Sequence, residues 1–187
     1  MLQEVQIEKR LFSVSEYYKM AESGILSKDA KVELINGEII SMSPIKSYHA
    51  GMINVLNYEL FKSIGEQAAI CVQNPIRLND FSEPEPDITI AKYKKGRYQN
   101  NHPTGTDIYF LIEVSDTTLN FDRHTKASLY AEAGIPEYWI INLQKQQIEI
   151  YTQTKNGEYL NRFIAKKGDT AKAQGIGFEL NVSELFS

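Results

Sequence analysis

The chain has 187 residues, 42% of them hydrophobic, and a formal net charge of −4. That is enough apolar material for one cored domain over residues 1–187 and too much for wholesale disorder. The acidic balance argues against a generally basic nucleic-acid binder, whose affinity comes from neutralising phosphates, but it leaves room for a local basic patch.

Cys71 is the only cysteine. An intrachain disulfide and a cysteine-rich zinc site are therefore excluded, and a reduced, cytoplasmic setting is expected. The first ten residues lack the apolar core of a signal peptide. No apolar run approaches the roughly 20 residues that span a bilayer, so no membrane association is expected.

In chain order, Ser13 with Glu16 three residues on reads as a capping box opening a short helix that stops near Gly24. Asn36-Gly37 between two alternating apolar runs is a hairpin signal, with Val32 and Leu34 on one strand face and Glu33 on the other. Residues 46–64 read as the longest helix, with Ser47 as cap, Gly65 as stop and Met52, Val55, Leu56, Leu60 and Ile64 as its apolar stripe. Extended runs follow at about 68–73, 75–78 and 86–91, punctuated by prolines. A polar, basic loop covers 92–103. Residues 107–114 are nearly all apolar, as in a strand buried on both faces. A helix over 121–133 ends at Gly134 with Pro136 beyond, and residues 137–143 form another buried strand. A second hairpin turns at Asn156-Gly157. The strand–helix–strand order of 107–142 is βαβ-like and implies a parallel, right-handed crossover. The fold class is α/β (α+β), a mixed central sheet flanked by helices.

Against that frame two acids stand out. Asp87 opens the run Asp-Ile-Thr-Ile, where it shares a face with Thr89. An acid beside prolines at a strand start is ordinarily just solvated. Glu113 lies among Leu111, Ile112 and Val114, where a charge is costly unless paired. It can be half of a structural ion pair, yet perturbed carboxylates concentrate at functional sites. Lys126 follows Asp122 by four residues, a spacing usually spent on an exposed ion pair. Its helix directly follows the strand of Glu113 and can fold back over that strand's C-terminal end, where open α/β sheets bind ligands. Glu33 is another acid in an apolar run, though edge-strand acids are usually solvated.

His49 at a helix start reads as a capping or core residue, and His102 and His124 as surface residues. No zinc-protease spacing, serine elbow or glycine-rich phosphate loop is present. Lys92, Lys94, Lys95 and Arg97, interleaved with Tyr93 and Tyr98, form a basic aromatic cluster. It suits nucleic acid, through phosphate contacts and base stacking, although most charge runs are solvated loops.

Several segments together resemble a known family. Val-Glu-Leu-Ile-Asn-Gly-Glu-Ile-Ile-Ser-Met-Ser-Pro, Glu-Pro-Asp-Ile, Ile-Glu-Val-Ser-Asp-Thr-Thr and Asp-Arg-His-Thr-Lys-Ala-Ser-Leu-Tyr-Ala-Glu-Ala-Gly-Ile-Pro-Glu-Tyr-Trp-Ile-Ile are similar to the Uma-two family of endonucleases. That family belongs to the restriction-endonuclease-like, PD-(D/E)xK superfamily. The likeness covers roughly residues 12 to 185, and the long Glu-Val-Ser to Tyr-Trp block is its most specific part. It implies a restriction-endonuclease-like core with extra β-hairpins and a metal site where two strands diverge. By position, Pro86-Asp87 matches the PD element and Glu113 the second acid. Ser115 stands where the simple signature has lysine, and Lys126 matches the helix-borne lysine that such families supply instead. Glu33 resembles their additional N-terminal acid.

The implied activity is endonucleolytic phosphodiester hydrolysis with Mg²⁺ or Mn²⁺. Asp87, Glu113 and the Val114 carbonyl would serve as metal ligands, Lys126 and Glu33 as further catalytic groups. DNA is favoured over RNA as substrate, and a homodimer is the implied assembly. The alternative is a catalytically inactive nucleic-acid-binding or protein-assembly module on the same fold, favoured by the acidic balance and the displaced lysine.

Overall fold

The structure, a computed structural model, describes residues 8–187. The segment 1–7, part of the stretch read as lacking a signal peptide, lies outside the described residues. Helix α1 (Val14–Glu22) opens with the expected capping box: the Glu16 amide donates to Ser13 Oγ at 3.3 Å and the Ser13 amide to Glu16 Oε2 at 2.9 Å. Strands β1 (Val32–Ile35) and β2 (Glu38–Ser41) pair through Asn36 (φ 50°) and Gly37 (φ 77°). Both turn residues are left-handed, the backbone that two-residue hairpins need. A Cβ on Gly37 would also fall 2.6 Å from Leu11 Cβ. Gly37→Ala is therefore expected to cost at least about 1–2 kcal/mol, seen as a lower urea midpoint with an unchanged slope.

Helix α2 (Ser47–Ile64) buries Met52, Ile53, Leu56, Leu60 and Ile64. Val55, expected in that stripe, is 44% exposed, and Ile53 takes its place. At 100° per residue Val55 lies about 130° from the centre of the buried arc. Ser47 is the first helical residue rather than the cap. Lys46 holds the cap position, with no side-chain capping bond among the described residues, and Gly65 (φ 57°) ends the helix.

Among the described residues, six strands form one mixed sheet in the order β3-β4-β5-β6-β7-β8. They are β3 (Ala68–Val72), β4 (Ile88–Lys92), β5 (Ile108–Ser115), β6 (Glu137–Asn142), β7 (Gln147–Lys155) and β8 (Glu158–Ala165). Only β5 and β6 run parallel. The stretch 75–78, expected to be extended, contributes a single bridge from Arg77 to Thr104 rather than a strand. The β5–β6 crossover is a broken helix: α3 (Leu119–Phe121), a π-helical turn (Asp122–Lys126) and α4 (Ala127–Glu132), stopped by Gly134 at φ 72°.

Both sheet faces are covered, which explains why β5 and β6 read as continuous apolar runs. One face carries Ile88, Ile112, Trp139 and Ile150. It packs against α2 and against Phe178, Leu180, Val182 and Leu185 of the C-terminal β9 (Thr170–Lys172), β10 (Glu179–Asn181) and α5 (Val182–Leu185) region. The other face carries Leu111, Tyr138, Ile140 and Tyr151 beneath Leu129, Tyr130 and Ile135 of the crossover, with Ile35 of β1 joining them. Among the described residues, no helix is long and apolar enough to cross a membrane.

Candidate metal centre

The β4–β5 register brings the two acids of the sequence together. The strands are antiparallel, with Thr89 opposite Leu111 and Ile88 opposite Ile112. Strand alternation then turns Asp87 and Glu113 to the same face, at the end where the ladder stops. The Asp87 amide lies 3.4 Å from Glu113 Oε2, and the Val114 amide donates to Asp87 Oδ2 at 2.8 Å.

Glu113 is buried, and its Oε1 accepts from Lys126 Nζ at 2.9 Å and from the Tyr130 hydroxyl at 2.8 Å. Burial pushes its pKa up to about 8; Lys126 opposes the shift, while Asp87, Asp122 and Glu33 add to it. Lys126 is itself only 6% exposed. Burial by itself would lower its pKa, but Glu113, Glu33 and Asp122 outweigh that and raise it above the usual lysine range. The side chain is thus a fixed ammonium in a mostly dry site.

Glu33 also joins this group. The hairpin carries it inward, 4% exposed, with Oε2 3.4 Å from Lys126 Nζ and accepting from the Glu85 amide at 3.1 Å. The solvated fate common to edge-strand acids is overruled because β1 packs on the sheet.

Asp122 and Lys126 do not form the exposed pair that their spacing suggests. Asp122 is buried and accepts from Ser115 Oγ at 2.6 Å and from Thr118 Oγ1 at 2.7 Å, tying the crossover helix to the end of β5. Burial raises its pKa, with Lys126 and these two hydroxyls opposing. The π-helical turn between Asp122 and Lys126 is a local widening of the kind that recurs at functional sites. Lys126 leaves it to meet Glu113 and Glu33.

His49 is the residue that sequence reasoning missed. It sits in the first turn of α2, half-buried, with Nε2 3.1 Å from Asp87 Oδ1. The hydrogen bond to Asp87 raises its pKa, against the effect of burial. A partner 38 positions away leaves no local trace in the sequence. His124 is exposed as expected, whereas His102 is partly covered and contacts the Tyr18 hydroxyl at 3.3 Å.

Glu33, His49, Asp87, Glu113, Asp122 and Lys126 line one cavity of about 280 Å³. The basic cluster is elsewhere. Lys92 closes the far end of β4, five residues or about 16 Å from Asp87. Lys92 Nζ donates to the Thr106 carbonyl at 2.7 Å, and Lys94 pairs with Asp107 at 2.7 Å and lies over the Tyr98 ring. Arg97 lies over the Tyr93 ring, while Lys95 is exposed. Two of the four cations are therefore already engaged by protein oxygens.

The donor set is carboxylate oxygen, which suits a hard divalent cation. Among the described residues, no three acid, histidine or cysteine groups stand close enough to form a ready-made cage.

A family profile described as "Uma2: Putative restriction endonuclease" matches residues 14–183. A crystal structure described as "a putative nuclease belonging to DUF820 from Anabaena variabilis" is similar with a TM-score of 0.71 at 14% identity, over 94% of this chain and 97% of that one. At such identity the likeness speaks for the fold. No curated protein matches. With a profile that spans nearly the whole sequence, the chain belongs to the Uma2 family, described as "Putative restriction endonuclease".

Proposed function

We propose that the protein is a divalent-metal-dependent endonuclease that hydrolyses phosphodiester bonds in DNA. The observation that carries this reading is the meeting of Asp87, Glu113 and Glu33 with the Lys126 ammonium in a single cavity. Asp87 and Glu113 are the residues to hold Mg²⁺ or Mn²⁺. In an extended strand the N–H and C=O of one residue point to the same side. The Val114 carbonyl therefore faces the edge to which its amide donates, and is a fitting third donor. When bound, the cation supplies polarisation of the phosphate and a lowered pKa for the attacking water.

The protein's own groups do the rest. Lys126 holds a fixed positive charge beside the carboxylates and offsets negative charge that builds on the phosphate as water attacks. The Tyr130 hydroxyl and Lys126 together fix the Glu113 carboxylate. His49 and the Val114 amide each engage one oxygen of Asp87 and so hold its plane. Glu33 keeps Lys126 from swinging away and is placed to hold a water. Water adds to phosphorus and releases a proton to solvent, the ester P–O bond breaks, and the departing sugar oxygen takes up a proton from solvent.

The displaced lysine is, beside the acidic balance, one of two sequence arguments for an inactive module. That argument loses force once Lys126 lies 2.9 Å from Glu113. Purified protein is expected to nick DNA with Mg²⁺ or Mn²⁺. By calorimetry Asp87→Asn is expected to weaken Mn²⁺ binding at least about tenfold without lowering the melting temperature. A wild type that neither binds Mn²⁺ nor cuts DNA or RNA would sink the reading.

A further inference from the structure

The carboxylate cavity also has apolar lining residues that the proposed hydrolysis does not use. Besides the acids, its lining includes Met42, Pro44, Ile45, Tyr48, Phe121 and Leu143. Two of these are far from buried: Ile45 is 48% exposed and Tyr48 is 55% exposed, although each is a large apolar side chain at the mouth of a polar site. Tyr48 immediately precedes His49 on α2, so one helical turn presents both the Asp87 partner and an aromatic ring. Phe121 ends α3, one residue before the buried Asp122. The cavity volume of about 280 Å³ falls near the lower end of pockets that enclose a small organic group, roughly 300–1,000 Å³.

Charge points the same way. Among the described residues, the lining contains two lysines, Lys46 and Lys126. Lys126 is committed to Glu113 and Glu33, and Lys46 is 3.3 Å from Asp116. The basic cluster lies at the other end of β4. A continuous duplex is held chiefly by cations along its two phosphate backbones, and its stacked bases offer nothing to an apolar wall. An unpaired base does: its face stacks on aromatic rings whatever its identity.

We propose that the exposed Tyr48 ring of this lining is a base-stacking subsite, and that the substrate is single-stranded DNA, one unpaired base lying against the ring while its phosphodiester reaches the carboxylates. This rests on the nuclease reading but deepens it to a substrate class. Tyr48 acts here as a specificity-determining residue.

The test uses the full chain and one oligonucleotide, offered as a labelled single strand and as its blunt duplex. Binding is read by fluorescence anisotropy with Ca²⁺, and cleavage with Mg²⁺. The single strand is expected to bind and to be cut about tenfold better than the duplex. Tyr48→Ala is expected to weaken single-strand binding by about fivefold to a hundredfold and to leave duplex binding unchanged, while Tyr48→Phe retains the wild-type value. Because Tyr48 is largely exposed, the variant has little reason to misfold, and matched melting curves verify this. Equal use of both substrates, or a Tyr48→Ala protein that binds single strands like wild type, overturns the proposal. A single-strand preference lost in Tyr48→Ala, with no cleavage of any substrate, overturns the nuclease reading and upholds the stacking subsite.

Discussion

Glu113→Gln is expected to abolish metal-dependent cleavage, by about a thousandfold or more, while the protein stays folded. The substitution keeps the shape of the side chain, and its amide oxygen can still accept from the Tyr130 hydroxyl, while its amide nitrogen replaces the oxygen that faces the Asp87 amide. It removes the negative charge that a hard cation needs and that fixes Lys126. Losing a metal ligand forfeits several kcal/mol of transition-state stabilisation, and about 4 kcal/mol corresponds to a thousandfold in rate. Glu113 also sets a pH dependence. Its folded pKa of about 8 lies above the ordinary carboxylate value, chiefly because it is buried. The neutral carboxyl must lose its proton to ligate, so apparent Mn²⁺ affinity should climb by up to about tenfold per pH unit below pH 8 and then level. The same shift has a stability consequence. The folded state holds this proton more tightly than the unfolded chain, so the metal-free protein should lose stability as pH rises from about 4.5 to about 8. In Glu113→Gln the rise in Mn²⁺ affinity should vanish and the stability slope should flatten, leaving the smaller part that the raised Asp122, Glu85 and Glu137 carboxyls and His49 contribute. Calorimetric isotherms and urea titrations across that range check the pair, and wild-type-like cleavage by the variant would refute the role.

The largest expected loss of stability is at a different carboxylate. Glu149, in the middle of β7, has no exposed surface and faces the crossover helix. Arg123 donates to it twice, at 2.9 and 2.5 Å, Arg162 at 2.6 Å and Asn142 at 3.0 Å. Burial by itself would raise its pKa. The hydrogen bonds of Arg123 and Asn142 and the charge of Arg162 outweigh that and hold it at about 2. A folded pKa below the unfolded value means stability that is present above about pH 4.5 and is lost as pH falls toward 2. The shift corresponds to roughly 3 kcal/mol. Glu149→Gln should therefore lower the melting temperature at neutral pH by about 6–12 °C and remove most of the acid-side slope. Arg123 lies in the same turn as Lys126, so the cluster also braces the helix that carries Lys126. A variant with wild-type stability at neutral pH would show that the two arginines are satisfied elsewhere.

The candidate site was legible in unequal measure. Asp87 and Glu113 could be read because an acid in an apolar strand run is costly, and strand alternation then puts both on one face. Lys126 could be read from its place after β5, but not its partners: the sequence spacing points to Asp122, whereas Asp122 is taken by Ser115 and Thr118. Glu33 looked like an ordinary edge acid, because nothing in Val-Glu-Leu-Ile says that the hairpin will lie on the sheet. His49 left no signal at all. In α2 the helix itself was plain, yet the buried face was misjudged at Val55, because the apolar residues of that helix extend beyond one stripe and only the sheet beneath selects Ile53.

Taken by itself, the order of amino acids determined most of the elements as far as the second hairpin, through a capping box, left-handed turn pairs and alternating and continuous apolar runs, but not the short β9, β10 and α5 or the break in the crossover helix. Those signals depend on backbone preference and on residues a few positions apart. Tertiary structure alone decided which acids are buried, which cation each one meets and at what pH each one ionises. Desolvation and charge act through space, and here they couple residues such as Asp87 and Glu113, 26 positions apart.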